Sequence, residues 1–74
     1  MSETHVFGEN LRRVRKAKGV SQEDLALSAE MNRSYVGSVE RGERNISLVN
    51  ICKLARTLGC TAAELMEDVE KEPE

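Results

Sequence analysis

The segment whose residues are best suited to chemical recognition is 32–42, which reads NRSYVGSVERG. If it is a helix starting at Asn32, then Val36 and Val39 point toward a core. The opposite side then carries one arginine among small residues: Arg33, Ser34, Gly37 and Ser38. A guanidinium can hold guanine through two parallel hydrogen bonds, and small neighbours let a helix approach base edges closely. The pattern is typical of a helix that enters the major groove of DNA, although an ordinary solvent-facing helix shares it.

Residues for other chemistry are sparse. Cys52 and Cys60 stand at no recognised metal-ligand spacing and are too few for a disulfide framework, so we expect buried, inert thiols. His5 has no nearby partner for metal binding or catalysis. The sequence offers no Ser/His/Asp set, paired-carboxylate site or phosphate-binding loop. We therefore expect a protein without catalytic activity, metal or cofactor.

Length and charge distribution limit the kind of protein that this sequence can form. The chain has 74 residues, enough for one domain, and one Phe, one Tyr and no Trp, so its core must be aliphatic. The net charge is −2, but residues 1–63 hold ten basic against seven acidic side chains, and residues 64–74 hold one against six. A basic body suits phosphate binding despite the acidic total. With no signal peptide or membrane span in the sequence, we expect a cytoplasmic protein.

Apolar spacing and capping residues predict an all-α fold of five short helices, without strands. The first helix covers 6–18, and the next four begin at the N-caps Ser21, Asn32, Ser47 and Thr61. Gly59 ends the fourth helix, and Thr61 with Glu64 forms a capping box for the fifth, which extends to about Val69. The predicted organisation is a flexible arm over 1–5, a compact domain over 6–69 and an acidic disordered tail over 70–74. The core stripes are predicted to consist of Phe7, Leu11, Val14, Ala17, Leu25, Ala26, Ala29, Val36, Val39, Leu48, Ile51, Leu54, Ala55, Leu58 and Leu65.

The second and third helices are separated by about three residues, as in a helix-turn-helix. Three segments in order, SQEDLA (21–26), NRSYVGSVERG (32–42) and LARTLG (54–59), resemble the phage-repressor (Cro/repressor-type) helix-turn-helix family. The resemblance covers residues 6–69 and implies a bacterial or phage-encoded protein that is associated with the nucleoid. Within that family, the segment around Arg33 is most similar to the controller proteins of restriction–modification systems.

The resemblance implies a role for each matching residue. The residues implied to read bases are Arg33, Ser34, Tyr35 and Ser38. The residues implied to contact the DNA backbone are Gln22, Asn32, Arg44 and Asn45. Tyr35 would contact the backbone or pack on a flexible pyrimidine–purine step. Arg15 and Glu40 match positions that form a structural ion pair. Glu23 matches an acidic position used to contact RNA polymerase, whereas Leu27 departs from a second one.

Several apolar residues fall outside the core stripes: Ile46, Val49, Cys52, Met66 and Val69. Scattered surface hydrophobes are normal, but in so small a chain these residues favour a two-fold dimer interface. The dimer would bind a pseudo-palindrome with half-sites about 34–36 Å apart, and two dimers could share one operator.

The expected function is a homodimeric transcription regulator that binds double-stranded DNA. Its similarity to controller proteins implies activation of its own gene and the endonuclease gene at low dose, and repression at higher dose. No second domain for an inducer is expected, so concentration would control activity. Two alternatives remain: a phage-type or other small repressor, and an antitoxin-like module that binds a protein partner.

Overall fold

The computed structural model describes residues 2–71, which form five α-helices and contain no strand. The helices are α1 (Glu3–Ala17), α2 (Gln22–Ser28), α3 (Arg33–Glu40), α4 (Leu48–Leu58) and α5 (Ala62–Leu65). The predicted all-α helix-turn-helix fold is therefore confirmed. No helix within residues 2–71 is long and apolar enough to cross a bilayer.

The helix starts follow from local capping. The side chains of Ser21, Asn32, Ser47 and Thr61 each accept a hydrogen bond from a backbone N–H in the first turn of the helix that follows. Thr61 and Glu64 complete the capping box at α5. These bonds satisfy N–H groups that have no partner within the helix. The four predicted starts are thus confirmed. The fifth helix, however, ends at Leu65 and residues 66–70 form turns, so its predicted extension to about Val69 is wrong.

The first helix begins earlier than the sequence suggested. Ser2 caps it by accepting from the backbone N–H of His5 at 3.3 Å, and Glu3 is already helical. The hydroxyl of Thr4 donates to the carbonyl of Gly42 at 2.9 Å, which anchors this end of α1 to the turn after α3. The prediction of a flexible arm is therefore wrong for residues 3–5. Of the predicted acidic tail, residues 72–74 lie outside the described residues.

The core lies between all five helices. Its largest fully buried side chains are Leu11, Leu25, Leu54, Leu65, Val36 and Val39. Asn10 is buried beside them, and its amide donates to the carbonyls of Leu65 at 2.9 Å and Glu67 at 2.8 Å. These bonds hold the turn that follows α5 against α1.

The predicted core list is wrong at two positions. Leu48 is 74% exposed, and Ala17 is exposed at the end of α1. Helical periodicity gives the direction in which a side chain points, but no neighbouring helix covers Leu48 in the first turn of α4. Conversely, Val69 is only 8% exposed and belongs to the core, which weakens its predicted place in a dimer interface.

Candidate nucleic-acid interface

The third helix presents two different faces. Val36 and Val39 are 0% and 1% exposed and anchor one face in the core. The other face opens into a shallow depression, here called the polar cleft, between the start of α2 and α3. It is lined by Gln22, Arg33, Ser34, Gly37 and Arg41. The face predicted to read DNA is thus open to solvent and rich in hydrogen-bond donors.

Arg33 is accessible to an external partner, and its predicted role in base reading stays a prediction. It lies exposed at the first position of α3, and it makes no ion pair or side-chain hydrogen bond within residues 2–71. Ser34 is exposed beside it, and its backbone N–H donates to Asn32 Oδ1 at 2.7 Å. Since that cap uses only the carbonyl oxygen of Asn32, the amide group still has donors for a phosphate. Arg33 can therefore offer both arms of its guanidinium to an external acceptor.

A buried ion pair fixes the far end of α3. Arg15 Nε and Nη2 donate to Glu40 Oε2 and Oε1 at 2.6 and 3.0 Å, and the two side chains are only 10% and 3% exposed. The remaining Arg15 nitrogen, Nη1, donates to the carbonyl of Val20 at 2.9 Å. Gln22 Nε2 donates to Glu40 Oε1 at 2.9 Å. The predicted Arg15–Glu40 pair is therefore present, and Gln22 braces α2 against α3, while its phosphate contact stays a prediction.

Ser38 is not a base-facing residue. It is only 6% exposed, and its hydroxyl donates to the carbonyl of Tyr35 at 2.7 Å. The same oxygen accepts from Arg44 Nε at 3.1 Å. Because the hydroxyl folds back onto its own helix and Arg44 covers it, the prediction for Ser38 is wrong.

Tyr35 lies at the centre of a group that we call the tyrosine cluster: Tyr35, Ser38, Arg44 and Asn50. The Tyr35 hydroxyl accepts from Asn50 Nδ2 at 3.1 Å. The guanidinium carbon of Arg44 lies 5.7 Å from the centre of the Tyr35 ring, within cation–π range. Tyr35 is half-buried, whereas Arg44 and the neighbouring Asn45 are exposed. Their predicted contacts with DNA are sterically open but remain predictions.

Sequence reasoning missed two residues at this face. Arg41 lines the polar cleft, where it forms a two-bond ion pair with Glu43 at 3.0 and 3.2 Å. The hydrogen bond from Arg41 holds the pKa of the Glu43 carboxyl below its usual range. Asn50, in the first turn of α4, reaches Tyr35 across the domain. The position of Arg41, two turns after Arg33, could have been a signal, whereas nothing in the sequence indicated Asn50.

The predicted dimer interface is partly free in this fold. Val49 is 66% exposed, with Leu48 beside it at 74%, and both project from α4. Half-buried Ile46, Cys52 and Met66 complete what we call the apolar patch. Glu23 is exposed on α2, a different helix from the one that carries Leu48 and Val49.

Both cysteines are half-buried, so the expectation of buried thiols is not met. Burial raises the pKa of the Cys60 thiol, which favours the unreactive protonated form. Residues 2–71 contain no group of three His, Cys, Asp or Glu side chains placed to hold a metal ion.

Comparisons with known proteins agree with this geometry. The helix-turn-helix family model matches residues 11–65. Control protein C.MunI from Mycoplasma sp is 46% identical over 67 residues, covering 89% of this chain and 90% of its own length. The crystal structure of the restriction–modification controller protein C.AhdI from Aeromonas hydrophila superposes with a TM-score of 0.82 at 56% identity, covering 84% of this chain and 94% of that one.

A further solved structure contains DNA. The biofilm master regulator SinR, crystallised in complex with DNA, has a TM-score of 0.78 at 31% identity and covers 82% of this chain and 98% of that one. The family match covers most of the chain, and the controller relatives are matched over nearly their whole length. The chain belongs to the helix-turn-helix family of DNA-binding transcription regulators, which are not enzymes, and its relatives include restriction–modification controller proteins.

Proposed function

We propose that the chain acts as a homodimer that places one α3 per protomer in successive major grooves of a pseudo-palindromic operator. The observation that carries this proposal is Arg33, which is exposed at the start of α3 and free of partners within residues 2–71. Gly37 lines the polar cleft beside it and has no side chain of its own, which supports a close approach of the helix backbone to base edges. One arginine can distinguish guanine, and a second copy doubles the sequence that is read.

Base reading by Arg33 is tested by fluorescence anisotropy on a duplex from the gene's own upstream region and on a scrambled duplex. Arg33→Ala should cost about 1–3 kcal/mol on the first duplex and much less on the second. Arg33→Lys keeps the charge but loses the bidentate fork. Compared with Arg33→Ala, it should therefore bind both duplexes more tightly without regaining the preference for the upstream duplex. Arg56→Ala is the matched control, because Arg56 is exposed on α4 and does not line the polar cleft. Equal losses on both duplexes would refute base reading by Arg33.

The apolar patch supports the dimer. Two large aliphatic side chains, Leu48 and Val49, stand mostly exposed next to each other, and their burial in a second copy would be favourable. Val49→Asp should therefore give monomers in sedimentation velocity experiments. Leu27→Asp is the matched control, since Leu27 is 77% exposed but lies on α2, outside the patch. A dimer that survives Val49→Asp and is lost with Leu27→Asp would place the interface elsewhere.

The biological role that we propose is restriction–modification control, in which the protein regulates its own gene and that of an endonuclease. Support comes from the similarity to C.MunI and C.AhdI over most of the chain. We further propose that two dimers fill adjacent sites at high dose and that Glu23 contacts RNA polymerase. Expression of a reporter gene placed behind the upstream region should rise and then fall as the concentration of the protein is increased.

The polymerase contact can be separated from DNA binding. Glu23→Ala should lower activation without changing affinity for the operator, and Glu9→Ala, an exposed acid on α1, should change neither. A reporter that only falls with dose would indicate a simple repressor instead. A neighbouring gene for a methyltransferase or an endonuclease would support the controller role independently.

A further inference from the structure

The tyrosine cluster links the recognition helix to α4 through a single hydrogen bond. Asn50 Nδ2 donates to the Tyr35 hydroxyl at 3.1 Å, across 15 positions of the chain. The guanidinium carbon of Arg44 lies over the ring, 5.7 Å from its centre, and Arg44 also donates to Ser38 Oγ. The Tyr35 side chain is therefore contacted by two residues outside its own helix, Asn50 and Arg44.

The direction of this bond determines what the phenol can do. A phenolic oxygen accepts through its lone pairs and donates through one proton. An amide N–H can only donate, so Asn50 occupies a lone pair and leaves the proton free. No acceptor takes that proton within residues 2–71. The hydroxyl is thus prepared as a donor toward an outside acceptor, and along a DNA duplex the nearest acceptors are phosphate oxygens and base edges.

On this basis, and resting on the proposed function, we propose that Asn50 is a positioning residue for DNA binding. Its amide orients the Tyr35 hydroxyl as a hydrogen-bond donor to DNA and does not itself bind DNA. Because Asn50 follows Val49 of the apolar patch directly, the same turn of α4 supports both the dimer and the DNA-facing phenol. Pre-orientation lowers the ordering cost of binding, so Asn50 contributes to affinity only through Tyr35.

A double-mutant cycle isolates this indirect role. Operator affinity is measured by anisotropy for the unsubstituted protein, Asn50→Ala, Tyr35→Phe and the double variant. Asn50→Ala should weaken binding about 3- to 10-fold, the range expected for one hydrogen bond. In the Tyr35→Phe background the same change should have almost no effect, because the hydroxyl that it orients is gone. Losses that multiply in the double variant would show that Asn50 acts independently of Tyr35 and would overturn the inference.

Two controls exclude a general structural effect. Thr57→Ala changes an exposed residue of α4 about 10 Å further along the same face and should leave affinity unchanged. Sedimentation of Asn50→Ala should show an intact dimer, since alanine suits a helix well. An affinity loss that follows a weakened dimer would overturn the inference.

A spectroscopic measurement addresses the phenol directly. The chain has one Tyr, one Phe and one His, so the aromatic signals in the NMR spectrum come from three rings, and those of Tyr35 and Phe7 can be told apart. Asn50→Ala should shift the Tyr35 ring signals and leave those of Phe7, which is buried in the core, in place. Unmoved Tyr35 signals would contradict the contact. If the unsubstituted protein shows no operator preference, the proposed function fails and this inference fails with it, whereas preference with multiplying losses refutes only the inference.

Discussion

Removal of the Glu40 carboxylate should be among the most damaging single changes in this domain. Its two oxygens accept three hydrogen bonds, two from Arg15 and one from Gln22, and its side chain is 3% exposed. In Glu40→Ala the Arg15 guanidinium stays buried, with only the carbonyl of Val20 as a partner. An uncompensated buried charge of this kind costs about 3–5 kcal/mol.

That loss is large for a chain of this size. Domains of this kind are stable by about 5–15 kcal/mol, and small ones lie near the lower end. A cost of 3–5 kcal/mol should lower Tm by roughly 12–40 °C. The assay is urea and thermal unfolding followed by far-UV circular dichroism. Protein concentration is held fixed, because dimerisation couples stability to concentration.

Two further variants make the prediction specific. Glu67→Ala removes a carboxylate from an ion pair with Arg13 that is 3.5 Å long, with side chains 59% and 64% exposed, and should cost about 0–1 kcal/mol. The double change Arg15→Met with Glu40→Leu removes both charges and should recover much of the loss. If Glu40→Ala costs no more than Glu67→Ala, the buried pair does not hold α1 to α3, and the reasoning is refuted.

Three other predictions concern the polar cleft and the helix contacts. Glu43→Gln should release Arg41 for phosphate, so the slope of log affinity against log salt should steepen by about 1, whereas Glu9→Gln should leave it unchanged. Gly8→Ala should cost about 1–3 kcal/mol in urea unfolding, because its Cβ would lie 2.5 Å from the carbonyl oxygen of Val39; a stable variant would contradict this close approach. Gly37→Ala should keep or raise stability by up to about 1 kcal/mol, since its Cβ meets the flexible end of Arg41 at 3.2 Å and Gln22 Oε1 at an ordinary contact distance of 3.7 Å, yet it should weaken operator binding.

The starts of the last four helices could be predicted because they depend on neighbouring residues. Ser21, Asn32, Ser47 and Thr61 each satisfy an N–H group within three positions, and this chemistry is visible in the sequence. Gly59 has φ +68 at the end of α4, a conformation that glycine adopts without strain. The fold followed from these signals and from the resemblance to a known family.

The side-chain environments could not be predicted in the same way. Ser38 is buried because Arg44, six positions later, folds back over it, and Leu48 is exposed because no helix covers the first turn of α4. The start of α1 was missed although Ser2 is a local capping residue, and the contact that anchors this start, from Thr4 to Gly42, joins positions far apart in the chain. Such environments depend on the arrangement of whole helices, which helical periodicity does not specify.

The polar cleft depends on the same long-range arrangement. The third helix has eight residues, too few to be stable alone, so its neighbours must set its direction. Arg15 and Gln22 hold its last residue, Glu40, while Asn50 holds Tyr35 near its start. Because both ends are fixed by other helices, Arg33 presents its guanidinium from a rigid support. Loss of the contact at Glu40 should act mainly through the folded fraction, whereas loss of the contact at Tyr35 should act on affinity while the fold persists.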